Sequence, residues 1–82
     1  MPQLTLSESA ASDNAIAADT GREFLEFCPT ADCRWSFGAT YEAADSQRLP
    51  AGDARIFQGD LAKLAFSFSA SKACKVDVTT NS

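Results

Sequence analysis

The residues best suited to chemistry are three cysteines, Cys28, Cys33 and Cys74. Cys28 and Cys33 flank Pro29-Thr30-Ala31-Asp32, which reads as a turn. A structural zinc site draws three or four ligands together, usually through paired CxxC spacings, and this CxxxxC pair with one distant cysteine lacks that pattern. The odd number leaves at least one thiol free or paired between chains. A Cys28–Cys33 disulfide needs the two residues to end adjacent antiparallel strands, and it would close a loop too short to restrict the unfolded chain much. Free thiols, buried or half-buried, are the first expectation, a disulfide the second, and a metal is not expected. No secretion signal precedes the cysteines, so a reducing compartment is the default.

Histidine is absent, which removes the commonest general base and the commonest transition-metal ligand together. Hydroxyls are plentiful, but their base would have to be Lys63, Lys72, Lys75 or a carboxylate, and none stands in a recognisable nucleophile–base arrangement. With 11 acidic residues, chance pairs of carboxylates are unavoidable, so a pair is no sign of a glycosidase. No phosphate-binding loop, dinucleotide fingerprint or EF-hand loop occurs. The expectation is a non-enzymatic protein with no catalytic residue and no cofactor.

Charge narrows the partners. The chain carries a formal charge of −4, and its basic residues stand singly: Arg22, Arg34, Arg48, Arg55, Lys63, Lys72 and Lys75. The first 21 residues hold Glu8, Asp13 and Asp19 and no basic side chain. A nucleic-acid-binding arm or a membrane-surface helix has the opposite sign, so neither nucleic acid nor membrane is an expected partner. Among the aromatic residues, Trp35 and Phe37 fall on an inward face, whereas Tyr41 lies on a polar loop. Phe24 and Phe57 fall opposite their strands' expected core residues. Either a thin sandwich partly covers both faces there, or the two rings mark an interface. With Leu4 and Leu6, the candidate interface residues are Leu4, Leu6, Phe24, Tyr41 and Phe57.

The elements that position these residues follow from period-2 patterning. The chain has 82 residues, enough for one small domain with a thin core. No apolar run is long enough for a membrane span. Leu4 and Leu6 alternate with polar neighbours, and residues 1–20 read as an extended N-terminal arm or edge strand, with too little apolar surface to order the whole segment in isolation. Strands are expected at 23–28, 33–37, 54–58, 61–69 and 74–79, with turns at Asp19-Thr20-Gly21, Leu49-Pro50-Ala51-Gly52-Asp53 and Ala70-Ser71-Lys72. Residues 80–82 read as a frayed tail. The segment 39–48 is the longest structureless connection and therefore a candidate functional loop. Short strands at even spacing, with no helical period between them, predict an all-β fold: a small antiparallel β-sandwich or barrel of five to seven strands, spanning 21–79. Its expected core is Leu25, Phe27, Trp35, Phe37, Ile56, Leu64, Phe66, Phe68, Val76 and Val78.

The order of these pieces resembles the small β-sandwich virion proteins of tailed bacteriophages. The likeness runs through a Ser/Ala-rich start, Arg22-Glu23-Phe24-Leu25-Glu26-Phe27, the strand ending Trp35-Ser36-Phe37-Gly38, the Leu49–Asp53 turn, and closing strands with Lys75-Val76-Asp77-Val78. It covers residues 20–79. It implies a structural role, a capsid decoration (cement) protein that binds and stabilises the shell of the major capsid protein or another virion protein, as a homo-oligomer located on the virion. Such proteins have no catalytic residues to carry over. The alternative is a tail-associated or cell-surface module that recognises a glycan or receptor through the 38–48 loop.

Overall fold

Every long element is a strand whose inward side chains alternate with polar or exposed ones. The computed structural model describes residues 3–9, 11 and 13–81. Parts of the expected arm, at residues 1, 2, 10 and 12, and Ser82 of the expected tail lie outside the described residues. The strands are β1 (Gln3–Leu6), β2 (Ala15–Ile16), β3 (Phe24–Pro29), β4 (Cys33–Phe37), β5 (Gln47–Leu49), β6 (Arg55–Gln58), β7 (Phe66–Ala70) and β8 (Cys74–Thr80), with one 3-10 turn at Ala43–Asp45. In β3, Leu25, Phe27 and Pro29 are buried and the residues between them half-buried. This is the period of a sheet packed on one face.

The strands form two four-stranded antiparallel sheets, ordered β1-β8-β3-β6 and β2-β7-β4-β5. Four of the pairings are β1 with β8, β2 with β7, β3 with β6, and β4 with β5. They describe one long antiparallel hairpin whose tip is the β4–β5 connection. Rolling that hairpin brings β8 against β3 and β7 against β4, and so closes the two sheets. The chain crosses between sheets at every connection except β4–β5, which is jelly-roll connectivity. The fold is an all-β sandwich, as the alternation predicts.

The core lies between the sheets. Phe27 sits at its centre, with ring centroids of Trp35, Phe57, Phe66 and Phe68 at 5.5, 5.8, 5.5 and 5.2 Å. Three of these pairs are edge-to-face, the arrangement the ring quadrupoles favour. Leu25, Trp35, Phe66, Phe68, Val76 and Val78 are buried as expected, and Leu64 is partly buried against them. Two expected core residues are not. Ile56 is 57% exposed and Phe37 48% exposed. In β6 the pairings Leu25↔Phe57 and Glu26↔Ile56 turn Phe57 inward and Ile56 outward. Adjacent Ile and Phe fit either frame locally, and a one-residue slip exchanges the faces. Phe37 points inward, but it lies at the end of β4 beyond the last β5 pairing, Trp35↔Gln47, so that edge of the sandwich stays open.

Three segments are more ordered than the sequence suggests. Leu49, expected in a turn, is fully buried at the end of β5. Its turn follows at once: Asp53 N donates to Pro50 O at 3.1 Å, and Gly52 holds a φ of +81° that a side chain would strain. Thr80 belongs to β8, and Asn81 Oδ1 accepts from Glu23 N at 2.8 Å and Phe24 N at 2.9 Å. Residues 80 and 81 of the expected tail are therefore tied down rather than frayed. Third, β1 is an edge strand of its own sandwich, with Leu6 fully buried. Behind it, the buried Asn14 side chain accepts from Ser7 N at 2.7 Å and donates to Ser7 O at 2.8 Å and Ser9 O at 3.0 Å. Burial of Leu6 and Ile16, together with these bonds, offsets the backbone entropy that the composition of this segment left uncovered.

Candidate interaction site

Sequence reading and structure agree on some candidate interface residues and part on others. Leu6 is sealed in the core and is unavailable to a partner. Leu4 is partly buried against the core. Tyr41 is half-buried. Its loop is shorter than the expected 39–48, because β5 begins at Gln47. That loop also folds back on the outer face of its own sheet: Ser36 Oγ accepts from Glu42 N at 3.0 Å, and Ser67 Oγ donates to Gly38 O at 2.6 Å. Two serines on the nominally solvent-facing side of β4 and β7 are thereby buried. The loop is a cover for the sheet rather than a free arm.

The remaining candidates converge on β6, at the edge of its sheet. Phe57 is half-buried on the inner side, 5.8 Å from Phe37 and 5.5 Å from Trp35. It is not on the outer face that the sequence reading assigned to it, for the register reason given above. Phe24 is half-buried on the outer face. It pairs with Gln58, so Ile56 is its diagonal neighbour across the strands. Sequence reasoning missed Phe37 and Ile56 as surface residues. The signal was present in the adjacent pair Ile56-Phe57, since one of two consecutive strand residues must point away from the core.

The edge therefore presents a backbone row flanked by apolar side chains on both sides: Ile56 and Phe24 outside, and Phe37 and Phe57 at the open mouth. These two, Ile56 and Phe37, are the exposed large hydrophobic residues among the described residues. Proteins usually blunt such an edge with charge, proline or a bulge, because it templates pairing with another chain; the charge on β6 is Arg55 at its start, 3.9 Å from Asp53. Beneath the mouth the Trp35 indole is buried, and Nε1 has no hydrogen-bond acceptor among the described residues. The ring instead meets Phe37 and Phe57 edge-to-face at 4.9 and 5.5 Å.

Cys33 and Cys74 are placed for packing rather than reactivity. Cys28 lies on β3 and Cys33 on β4, in different sheets, so the condition for bridging them is not met; all three cysteines are free. Burial, with smaller contributions from the neighbouring Cys74 and Asp32, pushes the Cys33 thiol from its ordinary 9.0 up to about 12. Burial also raises Cys74, against an opposing pull from Lys72. Neither is a thiolate near neutrality, and the thiolate is the nucleophilic form. Among the described residues no group of three or more His, Cys, Asp or Glu side chains is placed to hold a metal ion. Compared with known proteins, the chain matches no family model, no curated protein and no solved structure.

Proposed function

We propose that the chain is a non-catalytic structural protein of a bacteriophage particle, an accessory subunit that attaches to the capsid shell by adding its β6 edge to an extended segment of a virion protein. The observation that carries this reading is the apolar edge itself. Strand addition takes its affinity from the main-chain row and its specificity from alternate side chains, and β6 offers both, with Ile56 and Phe37 exposed on its two sides. The resemblance over residues 20–79 supports the phage setting. Jelly-roll connectivity occurs in viral capsid domains and in lectins alike, so it weighs only as analogy. Many copies on one shell tolerate weak individual contacts. Pairing of two copies, β6 to β6, would occupy the same edge and compete with attachment.

Quantitative mass spectrometry of particles purified from the phage or lysogen that encodes the chain tests the reading. The chain is expected at a fixed ratio to the major capsid protein, and its absence from particles would overturn the proposal. Ile56→Lys combined with Phe37→Ser is expected to leave circular dichroism unchanged and to reduce incorporation sharply. Equal incorporation of the variant would refute attachment through β6 while leaving the virion role standing.

A further inference from the structure

The fold gathers charge that the sequence scatters. Arg34 and Arg48 lie 14 positions apart, yet they are direct cross-strand partners on β4 and β5. On its other side Arg34 is opposite Ser69 of β7. The row Ser69–Arg34–Arg48 crosses the outer face of the sheet, where like charges directly opposed are destabilising. Nothing in the pairing requires two arginines there. Asp32 lies 3.9 Å from Arg48, with both side chains about two-thirds exposed (70% and 66%). An ion pair so open to water is nearly neutral energetically, and its carboxylate already accepts from Ala51 N at 2.8 Å.

The row forms the floor of a groove of about 440 Å³, whose lining includes Arg34, Arg48, Asp32, Ser9, Ser69 and Ser71. The Arg34 guanidinium is held at one end of the groove, where Nε donates to Ser46 Oγ at 2.9 Å and Nη2 to Ser46 O at 3.1 Å. Five N–H donors in a rigid fork leave others for a ligand. Ser9 joins the groove through paired backbone bonds with Ala70, at 2.6 and 3.2 Å. It is the described non-glycine residue with positive φ, at 67°, an uncommon conformation for serine. Among the described residues no aromatic or large aliphatic side chain lines the groove. Protein interfaces are anchored by such side chains, and neutral sugars would here find no ring to stack on. What the lining supplies is two guanidinium groups, the Asp32 carboxylate and several hydroxyls, a balance that remains positive.

We propose that this groove binds an oxyanion carried on a hydroxyl-rich scaffold, an acidic saccharide bearing carboxylate or sulfate groups. The anion sits between Arg34 and Arg48, and the sugar hydroxyls exchange hydrogen bonds with Ser9, Ser69 and Ser71. The site is on the outer face of the β2-β7-β4-β5 sheet; Arg55 of β6 reaches its margin, donating to Arg48 O at 3.3 Å, but Ile56 and Phe37 take no part in it, so different variants test it and the attachment proposed above.

Titration of the full chain, followed by amide chemical shifts, tests it with four probes: an oligogalacturonate hexamer, a sulfated heparin hexasaccharide, neutral maltohexaose and poly-glutamate. Saturable binding of at least one acidic saccharide is expected, with shifts at Arg34, Arg48, Ser69 and Ser71 and weakening as salt rises. Binding of oligogalacturonate shows that carboxylate suffices, and binding of heparin alone, which carries both groups, shows that sulfate is required. Arg48→Gln, at a largely exposed position, and Arg34→Gln are each expected to weaken binding about tenfold or more, while Lys63→Gln changes nothing. Failure of both acidic saccharides to bind, equal binding of maltohexaose, or unchanged affinity in the folded Arg48→Gln variant would each overturn the proposal. Tighter binding of poly-glutamate than of either saccharide would also overturn it, and would assign the groove to an acidic peptide.

Discussion

Replacing Asn14 with alanine removes a buried side chain that fastens the N-terminal strand from behind. Its amide makes three hydrogen bonds to the backbone of Ser7 and Ser9, between 2.7 and 3.0 Å, in a position only 1% exposed. At about 1 kcal/mol net for each bond, and with partners left partly desolvated, the loss comes to about 3 kcal/mol. A domain of this length holds about 4–12 kcal/mol in total. The substitution should therefore lower Tm by about 12–24 °C, a large effect for a residue in a Ser/Ala-rich segment. Urea melts of the wild type and Asn14→Ala, read by Trp35 fluorescence, give the difference directly. Hydrogen exchange locates it, since the Ser7 amide should lose protection first. A shift under about 1 kcal/mol with the Ser7 amide still protected would show that residues 3–16 dock through Leu6 and Ile16 alone, and the hydrogen-bond reasoning would be wrong.

Leu6→Ala should cost about 3 kcal/mol in the same melts, because a fully buried side chain leaves a cavity; a wild-type midpoint would mean that β1 detaches in solution. Phe27→Ala should cost about 4 kcal/mol and Phe37→Ala about 1 kcal/mol. Calorimetry that ranked the two equally would contradict the placement of Phe27 at the centre and Phe37 at the open mouth. For Cys33 the folded pKa of about 12 lies above the ordinary 9.0, so the unfolded chain loses its proton first. Stability is then fully present below pH 9 and falls as pH rises from 9 towards 12, by about 1.4 kcal/mol for each unit once the unfolded thiol is ionised. Chemical denaturation from pH 8 to 11 should show this slope reduced in Cys33→Ala, and identical slopes would refute the assignment.

What the sequence determined by itself was whatever depends on neighbours along the chain. Alternation in Cys33-Arg34-Trp35-Ser36-Phe37 and in Cys74–Val78 predicts strands with Trp35, Val76 and Val78 inside, and all three are buried. Glycine and proline mark turns that occur, as at Pro50-Ala51-Gly52. Local period and local backbone preference are properties of a few consecutive residues, so they survive without a structure. Tertiary structure decided what depends on partners far away in sequence. Gln3 meets Asp77, and Phe24 meets Gln58. Register across such distances chose Phe57 over Ile56 for the core, drew Leu6 into the sandwich and left Phe37 at an open edge. It placed Cys28 and Cys33 in different sheets and set Arg34 beside Arg48. Each of these outcomes is a choice between two faces or two partners that the local pattern leaves degenerate. The degeneracy is broken only when the rolled hairpin closes and each strand finds its neighbours.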